Sequence, residues 1–297
     1  MKITSVIFLV VGIVISIGGY FFCSMATSMA KKSGAYDMLF EYNYDDEGNI
    51  IDEYAFSKET IIEVDKDGKE HKKRAVRKVS LQFSNMNVRI VGGADRSRIV
   101  FQNLAQGRYY YYISNDALYV SDEPTITNII QSEGLGFDGL RKYLNTSKYN
   151  GESQVILYVA DVDDLRQYDF EFSGCTVSIE NINGSYDMRL NAKNSDILFE
   201  NSRTDSTLRL TLDNCNTTLR GVDYNETLIK GDGGSLTYDD TSISYLFRYD
   251  ISSEGGSLNL NGVDQLFPSY TANLSGQDYH SLSIAMVGTK LTILCNG

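Results

Sequence analysis

The sequence predicts an all-β chain: a single-stranded β-solenoid (β-helix) of about 20-residue coils, preceded by an N-terminal transmembrane helix. Three observations predict it. The segments Cys175–Ile179, Ser195–Phe199, Cys215–Leu219 and Ser235–Tyr238 read alike, and their first residues stand 20 positions apart. A fixed period of that size marks stacked-coil architectures, and the apolar–polar alternation inside each segment is the period of a half-buried strand. Finally, no charged residue interrupts the chain between Lys2 and Lys31.

The N-terminal run is built from Val6, Ile7, Phe8, Leu9, Val10, Val11, Ile13, Val14, Ile15, Ile17, Phe21 and Phe22, with Gly12, Ser16, Gly18 and Gly19 interspersed. A helix crosses the hydrocarbon core with about 20 apolar residues, whereas a cleaved signal has an apolar region of about 7–15. Ser24-Met25-Ala26 and Ser28-Met29-Ala30 offer small-x-small cleavage sites, but the length favours an uncleaved anchor. Lys2 on one side and Lys31 with Lys32 on the other nearly balance the positive-inside rule. The chain carries a net −12, and residues 1–34 hold three lysines and no acid, so the remainder carries −15. Anchor and signal are both export devices. The expected location is therefore the cell membrane, single-pass, with the C-terminal domain extracytoplasmic.

This gives three regions: an anchor (or uncleaved signal) at 1–34, a spacer at 35–59, and a β-repeat ectodomain at 60–297 with an irregular insertion at 121–152. The acidic balance argues against nucleic acid, whose phosphates need clustered Lys and Arg. One basic run, Lys69 to Arg74 continuing to Arg77 and Lys78, follows the turn-forming Asp65-Lys66-Asp67-Gly68 and reads as a solvated hairpin. Four cysteines in 297 residues do not make a disulfide framework. Cys175 and Cys215 share a register two coils apart, about 9–10 Å for strands spaced about 4.8 Å. A disulfide spans no more than about 7 Å between Cα atoms, so these are small buried corner residues.

The ectodomain begins with Thr60–Val64, Val79–Phe83 and Asn87–Val91, all alternating, then Ile99–Phe101 after the break at Gly92-Gly93. Tyr109–Ile113 and Ala117–Val120 form a hairpin around Ser114-Asn115-Asp116. Alternation lapses after Ser121, with a short helix at Phe137–Leu144, and returns at Gln154–Val159. From there the repeats run to the end. Gly174, Asn194, Asn214, Gly233, Gly255 and Gly288 align as corners, where a left-handed backbone costs Gly and Asn least. The inward positions beyond them are Val177 and Ile179, Ile197 and Phe199, Thr217 and Leu219, Leu236 and Tyr238, Leu258 and Leu260, Leu291 and Ile293. Asn85 with Val88 and Ile90 fits the same template. Thr217 is the misfit. Second corners are expected at Asn183-Gly184, Asn201, Gly221, Asp239-Asp240 and Asn261-Gly262. The irregular N-terminal part would cover one end of the stack. The C-terminal strand Lys290–Leu294 would cover the other poorly, leaving an edge for self-association or for a neighbouring strand. A β-sandwich is the structural rival, since it too has short evenly spaced strands.

With its N-terminal membrane segment and these Asn/Gly-small-x-apolar-x-apolar repeats, and with Val155–Val159 leading into Leu165–Ile179, the chain over roughly residues 79–297 resembles a family of bacterial-envelope adhesins of unknown function, a DUF4097-like β-strand-repeat domain. The resemblance implies a β-helix and a surface or envelope role, and it brings no catalytic residues.

No catalytic, cofactor or metal site is expected. His71 and His280 lack a histidine partner for a metal. A set of His280 with Ser281 or Ser283 and an aspartate lacks a nucleophile turn. Asp196, Asp213, Asp223, Asp232, Asp239 and Asp240 could line a glycan-active face, but they read first as corner and outward residues. Gly231-Asp232-Gly233-Gly234 is a fragment of a calcium-binding glycine repeat without its recurrence. The leading expectation is a non-enzymatic envelope protein that acts as an adhesin or scaffold. Its partners would be the membrane through its helix and a surface protein, a glycan or another copy. Contacts would fall on outward tyrosines such as Tyr186, Tyr224, Tyr238 and Tyr245. The alternatives are a glycan-active β-helix enzyme using aspartates, and an envelope-stress ectodomain acting through a membrane partner. Alkaline phosphatase fused after residue 34 should be active in cells; an inactive fusion would overturn the export assignment.

Overall fold

The computed structural model describes residues 43–46, 49–57, 61–64, 70–73, 75–104, 109–122, 153–160, 165–241, 247–272 and 280–295. The expected N-terminal anchor, the expected helix at 137–144 and nearly all of the expected insertion at 121–152 lie outside them. The chain divides into two units, Met1–Tyr44 and Asp45–Gly297, and the second carries nearly all of the described strands. Its described residues contain strands and turns and no helix, and most strands join one curled, half-barrel sheet. Among the described residues no helix is long and apolar enough to cross a membrane.

The 20-residue step sets the pairing. Thr176–Glu180 pairs in parallel with Asp196–Glu200, which pairs with Asn216–Arg220, which pairs with Ser235–Asp239, each in unbroken register. On the other side Thr176–Glu180 pairs with Asn87–Val91, and these with Gln154–Tyr158. Val88, Val177, Ile197, Thr217, Leu236 and Leu291 thereby form one continuous inward column. Parallel pairing on this scale rules out the antiparallel sandwich. A second ladder runs from Ala117–Ser121 through Lys78–Gln82, Gln167–Ser173, Asp187–Lys193 and Thr207–Asp213 to Glu226–Asp232 and Ser281–Val287. Its inward residues, among them Leu81, Phe170, Leu190, Leu210, Ile229 and Ile284, meet the first ladder's in a single core. Each fully buried side chain of this size contributes about 1.5–3 kcal/mol. Of the expected repeat-core residues, Val88, Ile90, Val177, Ile179, Ile197, Phe199, Leu219, Leu236, Leu258, Leu291 and Ile293 are buried, while Leu260 is half-buried at the rim.

The corners explain why the register holds. Asn85, Gly174, Asn194, Asn214, Gly233, Gly255 and Gly288 all adopt φ between 47° and 69°. At Gly234, with φ of 71°, a Cβ would sit 2.0 Å from the Cys215 carbonyl oxygen of the rung beneath, so no side chain fits there. At some corners the small residue that follows fastens one rung to the next. The buried Ser195 hydroxyl accepts from the Cys175 amide at 3.1 Å and donates to the Lys193 carbonyl at 2.8 Å. Thr289 does the same work at the last corner, bonding the carbonyls of Gly233 and Val287. Cys175, Cys215 and Cys295 are free thiols, buried, with burial pushing each pKa up.

Several expectations are corrected. The second corner of the first repeat is Asn181, with φ of 57°, in line with Asn201 and Gly221; Asn183-Gly184 lies on a short outer strand. Asp240 is not a left-handed corner but a buried carboxylate. The stretch expected as a spacer supplies a strand, Ile50–Ala55, antiparallel to Arg98–Gln102. Ser121 ends a strand rather than opening an insertion. The largest difference is at the C-terminus. Lys290–Leu294 is no exposed end: it lies between Ser235–Asp239 and Ser257–Leu260, parallel to both. The last rung is Ser257–Leu260, whose free side is met in part by Val263-Asp264 in an antiparallel return. Leu266 and Phe267, 97% and 76% exposed, sit on the loop that leads from this return to Ser269–Ala272.

Thr217 is buried in the inward column with its hydroxyl unpaired among the described residues. An unpaired buried hydroxyl costs about 1–3 kcal/mol. Thr217→Val keeps the shape and removes the hydroxyl, so it should raise stability by about 1 kcal/mol in urea unfolding of the full-length protein.

Candidate functional site

Strand alternation decides which side chains can act. On the second ladder, residues 189, 209, 228 and 283 fall in one outward column, and 191, 211, 230 and 285 in the next. The first column reads Arg189, Arg209, Leu228, Ser283; the second reads Asn191, Thr211, Lys230, Ala285. These eight side chains line an open groove of about 540 Å³ across four rungs. The lining holds three cations and no acid. Arg189 and Arg209 stand directly opposite each other, an arrangement of like charges that destabilises a ladder. Among the described residues none of Arg189, Arg209 and Lys230 has a hydrogen-bond or ion-pair partner. Several cations elsewhere on the surface are paired: Arg89 binds Glu180 at 2.5 Å, Arg220 binds Glu200 at 2.7 Å, and Lys193 binds Asp213 at 3.0 Å.

The tyrosines named as outward contacts are placed otherwise. Tyr186, Tyr224 and Tyr238 are buried, and Tyr245 lies outside the described residues. The Tyr186 hydroxyl donates to the Ile182 carbonyl at 2.8 Å and meets the Tyr224 hydroxyl at 2.9 Å. Since Tyr186 gives its one proton to Ile182, Tyr224 is the donor to Tyr186. Tyr168 and Phe199 pack edge-on against this pair. The Tyr238 hydroxyl donates to the Val222 carbonyl at 3.1 Å, and Tyr249 donates to Asp240. Burial pushes all four phenols, Tyr186, Tyr224, Tyr238 and Tyr249, well above the ordinary range, with Asp240 adding to the shift at Tyr238 and Tyr249. Among the described residues Tyr112 and Tyr119 face outward, 44% and 37% exposed, their rings stacked with centroids 4.9 Å apart. The run Tyr109 to Tyr112 carried that signal, since alternation in a hairpin strand must turn half of such a run outward.

The aspartates are dispersed. Asp196 accepts from Asn216 at 3.0 Å, Asp239 accepts from Thr241, and Asp213 pairs with Lys193. Asp232 is exposed at a corner, and Asp240 is buried against Tyr249. Asp223, only 5% exposed, bonds His280 Nδ1 at 2.5 Å, with Arg203 at 3.5 Å from its other oxygen. Ser281 and Ser283 belong to the outward columns, and Ser283 lines the groove. His280 points instead to the partly buried Asp223 contact, so these residues do not assemble as a triad. Among the described residues no group of three or more His, Cys, Asp or Glu is placed to hold a metal ion. His71 lies on the hairpin formed by Ile61–Val64 and Glu70–Lys73.

No family model and no curated protein matches the chain. Among solved structures it is similar to a "putative cell adhesion protein" from Clostridium sporogenes ATCC 15579. The identity is 12% over 82% of this chain and 97% of that one, with a TM-score of 0.35. At that score the two backbones differ too much for the likeness to bear on this chain's role.

The buried phenols set the alkaline limit of the fold. Unfolding returns them to an ordinary pKa near 10.0, so above that pH the unfolded state binds fewer protons than the folded one and stability falls as pH rises. Below it the contribution is fully present. Phenolate absorbance should therefore appear in two steps, exposed tyrosines first and the buried set only with cooperative unfolding. Titration of all tyrosines in one step near pH 10, with the fold intact, would contradict their burial.

Proposed function

We propose that the chain is a non-enzymatic cell-envelope protein, tethered by a membrane helix within residues 3–26, whose stacked coils form a β-solenoid that binds a surface partner through its outer face. The observation that carries this reading is the open groove on the second ladder. It presents unpaired cations, amide and hydroxyl groups from neighbouring rungs on a rigid, in-register sheet. A rigid sheet face gives up little conformational entropy on binding. It can also meet a long partner at the spacing of the rungs. The dispersal of the carboxylates among the described residues favours binding over hydrolysis: Asp196, Asp213 and Asp239 each hold a neighbouring side chain, and Asp223 and Asp240 are buried. The 20-residue period of the sequence and its apolar N-terminal run support an adhesive or scaffolding role at the envelope.

A glycan array combined with a reducing-sugar release assay tests the reading on the full-length protein. The expected result is retention on surface polymers with no sugar released, in the wild type and in Asp232→Asn and Asp239→Asn alike. Release of sugar that is lost in either variant would establish a glycan-active enzyme instead.

A further inference from the structure

From the groove on the second ladder we infer that the ligand is an acidic glycan carrying carboxylate groups, a uronic-acid polymer, bound through Arg189, Arg209 and Lys230. This rests on the reading of the outer face as a binding surface and names what it takes.

Charge is the first argument. The chain as a whole is acidic, with a net −12, and its long-range field repels polyanions. A cluster of three cations without an acid in the groove lining runs against that background. Arg189 and Arg209 face each other across adjacent rungs, about 4.8 Å apart along the stack; Asp169 flanks Arg189 on the rung before but forms no ion pair with it, and no acid lies between the two arginines or in the groove lining. An anion between them would turn a destabilising like-charge pair into two charge-assisted contacts. Guanidinium groups match carboxylates in a planar, two-pronged geometry.

The rest of the lining selects a sugar over a bare anion. Asn191, Thr211 and Ser283 offer amide and hydroxyl groups suited to ring hydroxyls, while Leu228 and Ala285 give a small apolar floor for the C–H face of a pyranose. Lys230 lies one rung beyond Arg209 and one column aside. A polymer with a carboxylate on each sugar meets this staggered set of positive charges without distortion of the sheet. The open groove admits a chain from either end, which a closed pocket would not.

The test is binding of the full-length protein in non-ionic detergent to an oligogalacturonate, against neutral galactan and polyglycerol phosphate. Oligogalacturonate should bind best, with affinity falling as salt is raised. Arg189→Gln and Arg209→Gln should each weaken it about tenfold, and the double variant about a hundredfold. The double variant should also unfold no earlier than wild type, because a like-charge pair has been removed. Arg220→Gln, whose arginine is engaged by Glu200 on the other ladder, should bind as wild type. Unchanged affinity in the double variant overturns the assignment, as does galactan or polyglycerol phosphate binding as tightly as the oligogalacturonate. In either case retention on another surface polymer leaves the binding role standing. Release of sugar would sink that role instead.

Discussion

Every rung of the sheet must turn through a left-handed corner at the same place, or the rungs lose register. That constraint governs the molecule. A residue with a Cβ pays a steric penalty at positive φ, and the corners accordingly carry Asn or Gly at each step from Asn85 to Gly288. With the corners aligned, the backbone amides of one rung meet the carbonyls of the next, as Asn194 does with Asp213 and Asn214 with Asp232. Side chains that alternate in one rung then alternate in all of them. The inward column, the buried thiols and the outward columns are consequences of a shared backbone angle.

The polar interior follows the same logic. Most hydroxyls buried between stacked rungs are bonded to backbone. Ser195 and Ser202 each donate to a carbonyl two residues back and accept an amide of the neighbouring rung, from Cys175 and Ile182, while Thr289 reaches the Gly233 carbonyl of the next rung. Near the short outer strand Asn183-Gly184, Tyr186 donates to the Ile182 carbonyl and Tyr224 bonds the Tyr186 hydroxyl, while Tyr238 donates to the Val222 carbonyl. Asp223 and Asp240 are tolerated inside because His280, Arg203 and Tyr249 meet them. This region is held by polar contacts, where the two main ladders are packed by apolar side chains, aliphatic and aromatic.

Much of this was legible in the sequence. The corner residues and the inward pairs could be aligned by eye because a strict period leaves little freedom. Val177, Ile197 and Leu236 fall where the spacing puts them. The same period could have revealed the groove, since Arg189 and Arg209 are 20 residues apart and must be neighbours if the rungs stack. What the pattern does not encode is order in space. Leu258 and Leu291 fit the repeat equally well, and nothing local says that the later strand lies inside the earlier one. Nor does a tyrosine announce its direction outside a regular strand. Tyr186 precedes its strand and Tyr224 bends with a bulge, so alternation could not assign them, and their hydroxyls found partners inside.

The inverted order of the last two strands has a consequence for how the molecule is made. Ser257–Leu260 finds its parallel neighbour in Lys290–Leu294, and Phe247–Glu254 finds its own in His280–Val287. Each of those partners is synthesised about 33 residues later than the strand it pairs with. A nascent chain can therefore lay down rungs one after another as far as Ser235–Asp239, then must wait. Over that interval roughly fifty residues hang from an unfinished stack, and the final strand enters as a wedge between one rung already built and one still adrift. Growth by simple addition ends there, and a strand made later is inserted between two made before it.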